Sequence, residues 1–115
     1  MHEYSIVGAL VDRVAQEVAA HPGARVKCLR VRIGELAGVE KDLLRVAYDT
    51  FKPATVCAGA ELFVEAVAAS WRCTRCEIDV PLGGPLRCPD CGRPARLVAG
   101  DEIILDRIEL EVPDV

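Results

Sequence analysis

Four cysteines stand at the spacing that zinc chemistry requires: Cys73-Thr-Arg-Cys76 and Cys88-Pro-Asp-Cys91, with eleven residues between the pairs. A Cys-x-x-Cys turn is short enough to place two thiolates on adjacent corners of a tetrahedron, and two such turns complete it. Backbone N–H groups inside each turn can also donate to the sulfurs and stabilise their charge. Pro89 stiffens the second turn, and Gly92 permits a left-handed backbone after its last cysteine. With thiolates at all four positions, no corner remains for water or substrate, so the predicted site is structural. Two independent disulfides are the alternative, and the paired spacing argues against them. Cys28 and Cys57 stand alone and are predicted to be small apolar fillers.

A second constellation lies at the start, Met1-His2-Glu3. A free α-amine, the His2 amide and the His2 imidazole Nδ1 form fused five- and six-membered chelate rings on one metal, and the Glu3 amide is near enough to add a fourth nitrogen. The initiator methionine is expected to stay, because histidine is bulky. The first N–H groups of a helix have no internal partner, so the amides of His2 and Glu3 are free to lose protons to a metal. Four nitrogens in a plane suit Ni(II) or Cu(II) and match tetrahedral zinc poorly. The plainer alternative is a surface histidine with an imidazole and no task.

These residues need elements to hold them. Ile6, Val7, Leu10, Val11, Val14 and Val18 recur at helical spacing from Tyr4 to Ala20, stopped by His21-Pro22-Gly23. Leu29, Val31 and Ile33 alternate with Arg30 and Arg32 in a strand whose phase slips near Cys28, which predicts a bulge there or a late strand start. A second helix carries Val39, Leu43, Ala47 and Phe51 on its predicted inner face and ends at Pro53. A second strand sets Leu62, Val64 and Ala66 against Glu61 and Glu65, leaving Phe63 unexplained by the pattern. The last strand points Ile108, Leu110 and Val112 inward and Glu109 and Glu111 outward. The expected fold is α+β: two helices on a three-stranded sheet, formed by residues 1–71 and 99–115. A zinc-ribbon-like module, residues 72–98, is inserted between two pairing strands.

The bulk composition bounds the function. The chain has 115 residues, 51% of them hydrophobic and 28% charged, and a formal charge of −4. No apolar run approaches the roughly 20 residues that span a bilayer. The start has no basic stretch leading into an apolar one, so a cytoplasmic location without membrane contact is expected. The cysteine module has five arginines and three acids from Arg72 to Arg96, close to neutral once thiolates and zinc are counted. It has one aromatic, Trp71, at its edge. A nucleic-acid partner is therefore not expected, although a zinc-ribbon adaptor for nucleic acid or protein, without a nickel function, is the alternative reading. Two histidines, a closed thiolate site and no phosphate-cradling loop leave no enzyme reading.

"MHEYSI", "VRIGELAGVEKDLLRVAYDTF", "GAELFVE", the paired Cys-x-x-Cys module and "GDEIILDRIELE", in that order, resemble the HypA/HybF hydrogenase maturation proteins over nearly the whole chain. The resemblance implies a nickel metallochaperone that delivers Ni(II) to the large-subunit precursor of [NiFe] hydrogenase, working with the GTPase HypB. It implies nickel anchored by His2 with Glu3 beside it, and zinc held by Cys73, Cys76, Cys88 and Cys91. Glu40 matches a position where some members place an aspartate near nickel; alternatively it is a first-turn glutamate favoured by the helix dipole. Some members carry histidines in or beside the zinc module. Here the only other histidine is His21, which reads as a helix-end residue.

Overall fold

The computed structural model describes residues 3–112. The chain forms α1 (Glu3–Ala19), β1 (Arg25–Gly34), α2 (Lys41–Phe51), a 3-10 turn (Lys52–Ala54), β2 (Glu61–Val67), β3 (Ser70–Cys73), β4 (Ile78–Val80), β5 (Arg96–Ala99) and β6 (Ile103–Glu111). The class is α+β, as expected. β1 is the middle strand of one sheet, parallel to β2 and antiparallel to β6.

β2 and β6, the strands expected to pair on either side of the cysteine module, therefore do not pair with each other. Each pairs with β1, because the α2 crossover lays β2 parallel to β1 and leaves the far edge of β1 for β6. The module also carries a sheet that the sequence pattern did not disclose, in the order β4-β3-β5. Its strands have three or four residues, too few for a period of two to register.

The core lies between the helices and one face of the β2-β1-β6 sheet. Ile6, Val7, Leu10, Val11 and Val14 of α1 meet Leu29, Val31 and Ile33 of β1 there. The phase slip in β1 is real: Val26 faces Leu110 while Cys28 faces Glu109, which leaves Lys27 as the extra residue. A second slip, not expected, leaves Asp106 of β6 unmatched between the pairs Val31–Leu105 and Arg30–Arg107.

The inner face of α2 is Leu44, Ala47 and Tyr48, while Leu43 and Phe51 are exposed. The expected stripe left Tyr48 out. Its ring is buried, and its hydroxyl donates to the carbonyl of Ala60 at 2.9 Å, so the phenol carries both its apolar body and its polar end inside. Val112 lies beyond β6 and is exposed, and Ala66 is exposed near the end of β2. Phe63 lies on the outer face of the sheet, with the Arg30 guanidinium 4.9 Å from its ring centroid.

The two sheets meet where backbone crosses backbone. Gly34 N–H donates to Glu102 O at 2.8 Å, Glu35 N–H to Val67 O at 2.9 Å and Leu36 N–H to Gly100 O at 2.7 Å. Gly100 has φ +104° and lies against the backbone of Ala69; a Cβ there would overlap it.

Candidate metal centre

β3 delivers Cys73 at its last residue, and the chain turns at once through Cys76 into β4. The second turn closes through an isolated bridge between Arg87 and Pro94. The two turns are built alike. Glu77 N–H donates to Cys73 O, and Gly92 N–H to Cys88 O, each at 2.9 Å. Both donors are in the left-handed region, Gly92 at φ 73° and Glu77 at φ 56°. Glycine accepts that conformation freely, whereas glutamate is strained by roughly 1 kcal/mol. The Arg72 guanidinium donates to the carbonyl of Glu77 at 2.7 Å and fixes this turn from outside.

These turns bring the sulfurs of Cys73, Cys76, Cys88 and Cys91 within 4.8 Å of one another. The Cys73 and Cys91 sulfurs are 3.6 Å apart. Four sulfurs at the usual zinc–sulfur bond length lie about 3.8 Å apart around a tetrahedron, so the cluster has the dimensions of a thiolate zinc site. Amides point inward too: Cys76 N–H to the Cys73 sulfur and Asp90 N–H to the Cys88 sulfur, both at 3.4 Å, and Cys91 N–H to Cys88 at 3.5 Å.

The electrostatics fit a cation. The Cys76 amide and, more weakly, the Arg75 amide hold the Cys73 thiol down at about 6 despite burial. Cys76 is pushed up to about 12, because it donates to Cys91 and Cys88 and because burial and the charge on Cys73 oppose a second thiolate. Crowded thiols resist full ionisation alone, and a divalent cation reverses that resistance. Zn(II) would be held by all four residues and would contribute folding energy to the module, with no coordination position open.

The other candidate residues are not gathered into a second cluster among the described residues. His2 and the Met1 amine lie outside them. Glu3 is the first residue of α1 and is half-buried. Glu40 is the N-cap of α2; its side chain makes no capping bond and is exposed. His21 is exposed in the turn after α1.

Cys57 is a core residue beneath Tyr48, the filler expected of it. Cys28 is buried too, but its thiol donates to the Glu109 carboxylate at 3.1 Å. Burial and that bond raise the Cys28 thiol, while accepting the bond lowers Glu109. Nothing in the sequence near either residue marks the pair, which depends on the register of β6 on β1.

The family described as "HypA: Hydrogenase/urease nickel incorporation, metallochaperone, hypA" matches residues 1–110. The chain belongs to the HypA family. It is 33% identical over 113 residues to the hydrogenase maturation factor HypA of Shewanella baltica (strain OS185), covering 96% of this chain and 97% of that protein. The HypA of Chloroflexus aurantiacus (strain J-10-fl) is 40% identical over 117 residues, covering 98% and 100%. The solution structure of the Ni metallochaperone HypA from Helicobacter pylori superposes with a TM-score of 0.73 at 24% identity, covering 98% of this chain and 100% of that one. A second structure, "Solution structure of HypA protein", gives 0.74 at 26% identity, covering 98% of each chain. HypA proteins are maturation factors and metallochaperones rather than catalytic enzymes, in keeping with a closed four-cysteine cluster. No described helix is long and apolar enough to cross a membrane.

Proposed function

We propose that this chain carries Ni(II) at its N-terminus to the large-subunit precursor of [NiFe] hydrogenase, and keeps Zn(II) in the four-cysteine cluster for structure. The observation that carries this reading is a family match that begins at residue 1 and runs through both constellations. Nickel is bound by the Met1 amine, the amides of His2 and Glu3, and the His2 imidazole. Glu40 is assigned an outer position near the metal. The nickel-binding core is residues 1–71 with 99–115, and the zinc module is residues 72–98. The chain has no nucleotide-cradling loop, so the GTPase step belongs to a partner, HypB. The chain works in the cytoplasm.

The test is an N-terminal extension of a few non-coordinating residues, compared with His2→Ala. The extension keeps the imidazole but converts the amine into an amide. Both variants are expected to lose specific nickel binding in calorimetry, and the unmodified protein to hold a yellow, diamagnetic Ni(II). Full affinity in the extended protein, with a paramagnetic ion, overturns the proposed ligand set.

A further inference from the structure

β6 is an edge strand: it pairs with β1 on one side, and no described strand lies on the other. Its core-facing residues Ile103, Leu105, Ile108 and Leu110 are only half-buried, whereas Leu29, Val31 and Ile33 of β1 are almost fully covered. A groove of about 630 Å³ runs between α1 and the start of this strand, with Ile6, Leu10, Ile103 and Leu105 among its walls. The core is thus left open along one edge.

The unmatched Asp106 gives the strand an unusual symmetry. Side chains alternate along a strand, so Ile103 and Leu105 share a face. The extra residue shifts the phase, and Ile108 and Leu110 return to that same face instead of the opposite one. About the midpoint between Asp106 and Arg107 the strand reads the same in both directions: apolar and inward at 103, 105, 108 and 110, outward at 104 and 109. The backbone follows the same symmetry. Gly34 N–H bonds to Glu102 O, so Glu102 and Ile104 direct their polar groups at β1, and Ile103 and Leu105 direct theirs at the free edge. Beyond the slip, Arg107 and Glu109 face β1, and Ile108 and Leu110 face the free edge.

We propose that this edge is a self-association surface, on which a second copy of the chain pairs β6 with β6 antiparallel about a two-fold axis between Asp106 and Arg107. In that register Ile103 meets the partner's Leu110 and Leu105 meets the partner's Ile108, each pair on the core face and each with backbone groups pointing at the other. Asp106 meets the partner's Arg107 twice at the centre, and these opposite charges offset the like-charge pairs of Glu102 with the partner's Glu111 at the two ends. The product is a continuous six-stranded sheet with both helical layers on one side, closing the open edge of each core.

Sedimentation velocity across a concentration series tests the pairing through charge swaps. The unmodified protein is expected to dimerise as concentration rises. Asp106→Arg alone and Arg107→Asp alone place like charges opposite each other and are expected to be monomers. An equimolar mixture of the two single variants restores both pairs and is expected to form a heterodimer. The doubly swapped chain is expected to dimerise with itself. Hydrogen exchange on the unmodified protein supplies a check that needs no variant to fold. Amides of Ile103, Leu105, Ile108 and Leu110 are expected to gain protection with concentration, while those of β2, at the other edge, do not. A protein that stays monomeric with the amides of Ile103, Leu105, Ile108 and Leu110 unprotected, or single variants that dimerise as the unmodified chain does, overturns the proposal.

Discussion

The carboxylate of Glu35 accepts a hydrogen bond from the backbone N–H of Ala69 at 2.7 Å. Glu35 lies just past the end of β1, and Ala69 is buried in the link between the two sheets. Removing the acceptor leaves a buried donor unsatisfied, at a cost of about 1–3 kcal/mol. Glu35→Ala is expected to lower stability by that amount in urea titration, whereas Glu35→Gln keeps an acceptor and loses less. Equal losses in the two variants would show that the charge, and not the bond, matters.

Gly100 and Gly38 both have positive φ, but only Gly100 is hemmed in by backbone; nothing lies within 4 Å of a Cβ built on Gly38. Gly38→Ala is therefore expected to cost about 1 kcal/mol, the conformational penalty alone. Gly100→Ala adds a collision with the Ala69 backbone and is expected to cost about 4 kcal/mol or more, or to prevent folding. Thermal unfolding of the two variants side by side separates the terms.

The Cys28–Glu109 pair predicts a stability profile with two flanks. Glu109 has its carboxyl lowered on folding, so its contribution is complete above the ordinary carboxyl range and disappears as pH falls through the folded value. Cys28 has its thiol raised, so its contribution is complete below the ordinary thiol range and is lost as pH rises through the folded value. The stability difference between the unmodified protein and Glu109→Gln is expected to be greatest between about pH 5 and 8, outside both ordinary ranges. A difference that stays constant from acid to alkaline pH would refute the coupling.

Stripping metal with a strong chelator is expected to loosen the β4-β3-β5 sheet and leave the helical core folded. Cys73→Ser or Cys91→Ser should do the same. Thiolate ligands compete with protons, so acidification should release the metal as well. Far-UV circular dichroism follows the helices while thiol titration counts freed cysteines. Simultaneous loss of helix and metal would mean that the two sheets fold as one unit.

Much of this was legible in the sequence because the signals were local. A Cys-x-x-Cys turn, a helix stopped by His21-Pro22-Gly23 and a strand whose phase slips near Cys28 each lie within a few residues. What escaped depends on distant partners. Phe63 makes sense only beside Arg30 of the neighbouring strand, and Cys28 only beside Glu109. The face of α2 was misassigned at Tyr48, whose burial depends on Ala60 offering a carbonyl. The left-handed Glu77 had no signal, since glycine usually marks such a position and the second turn does use Gly92.

β1 lies between a strand made soon after it and a strand made last, and Arg25 at its start pairs with Glu111 near the end of the chain. A nascent chain therefore completes its cysteine turns while the larger sheet is still missing an edge. Until Ile103–Glu111 has been synthesised, one side of β1 exposes an unpaired row of backbone groups beside Leu29, Val31 and Ile33. Long-range closure of this kind is slow and leaves a sticky edge open during synthesis. A chain truncated before β6 should aggregate rather than persist as a smaller folded protein, even with all four module cysteines present.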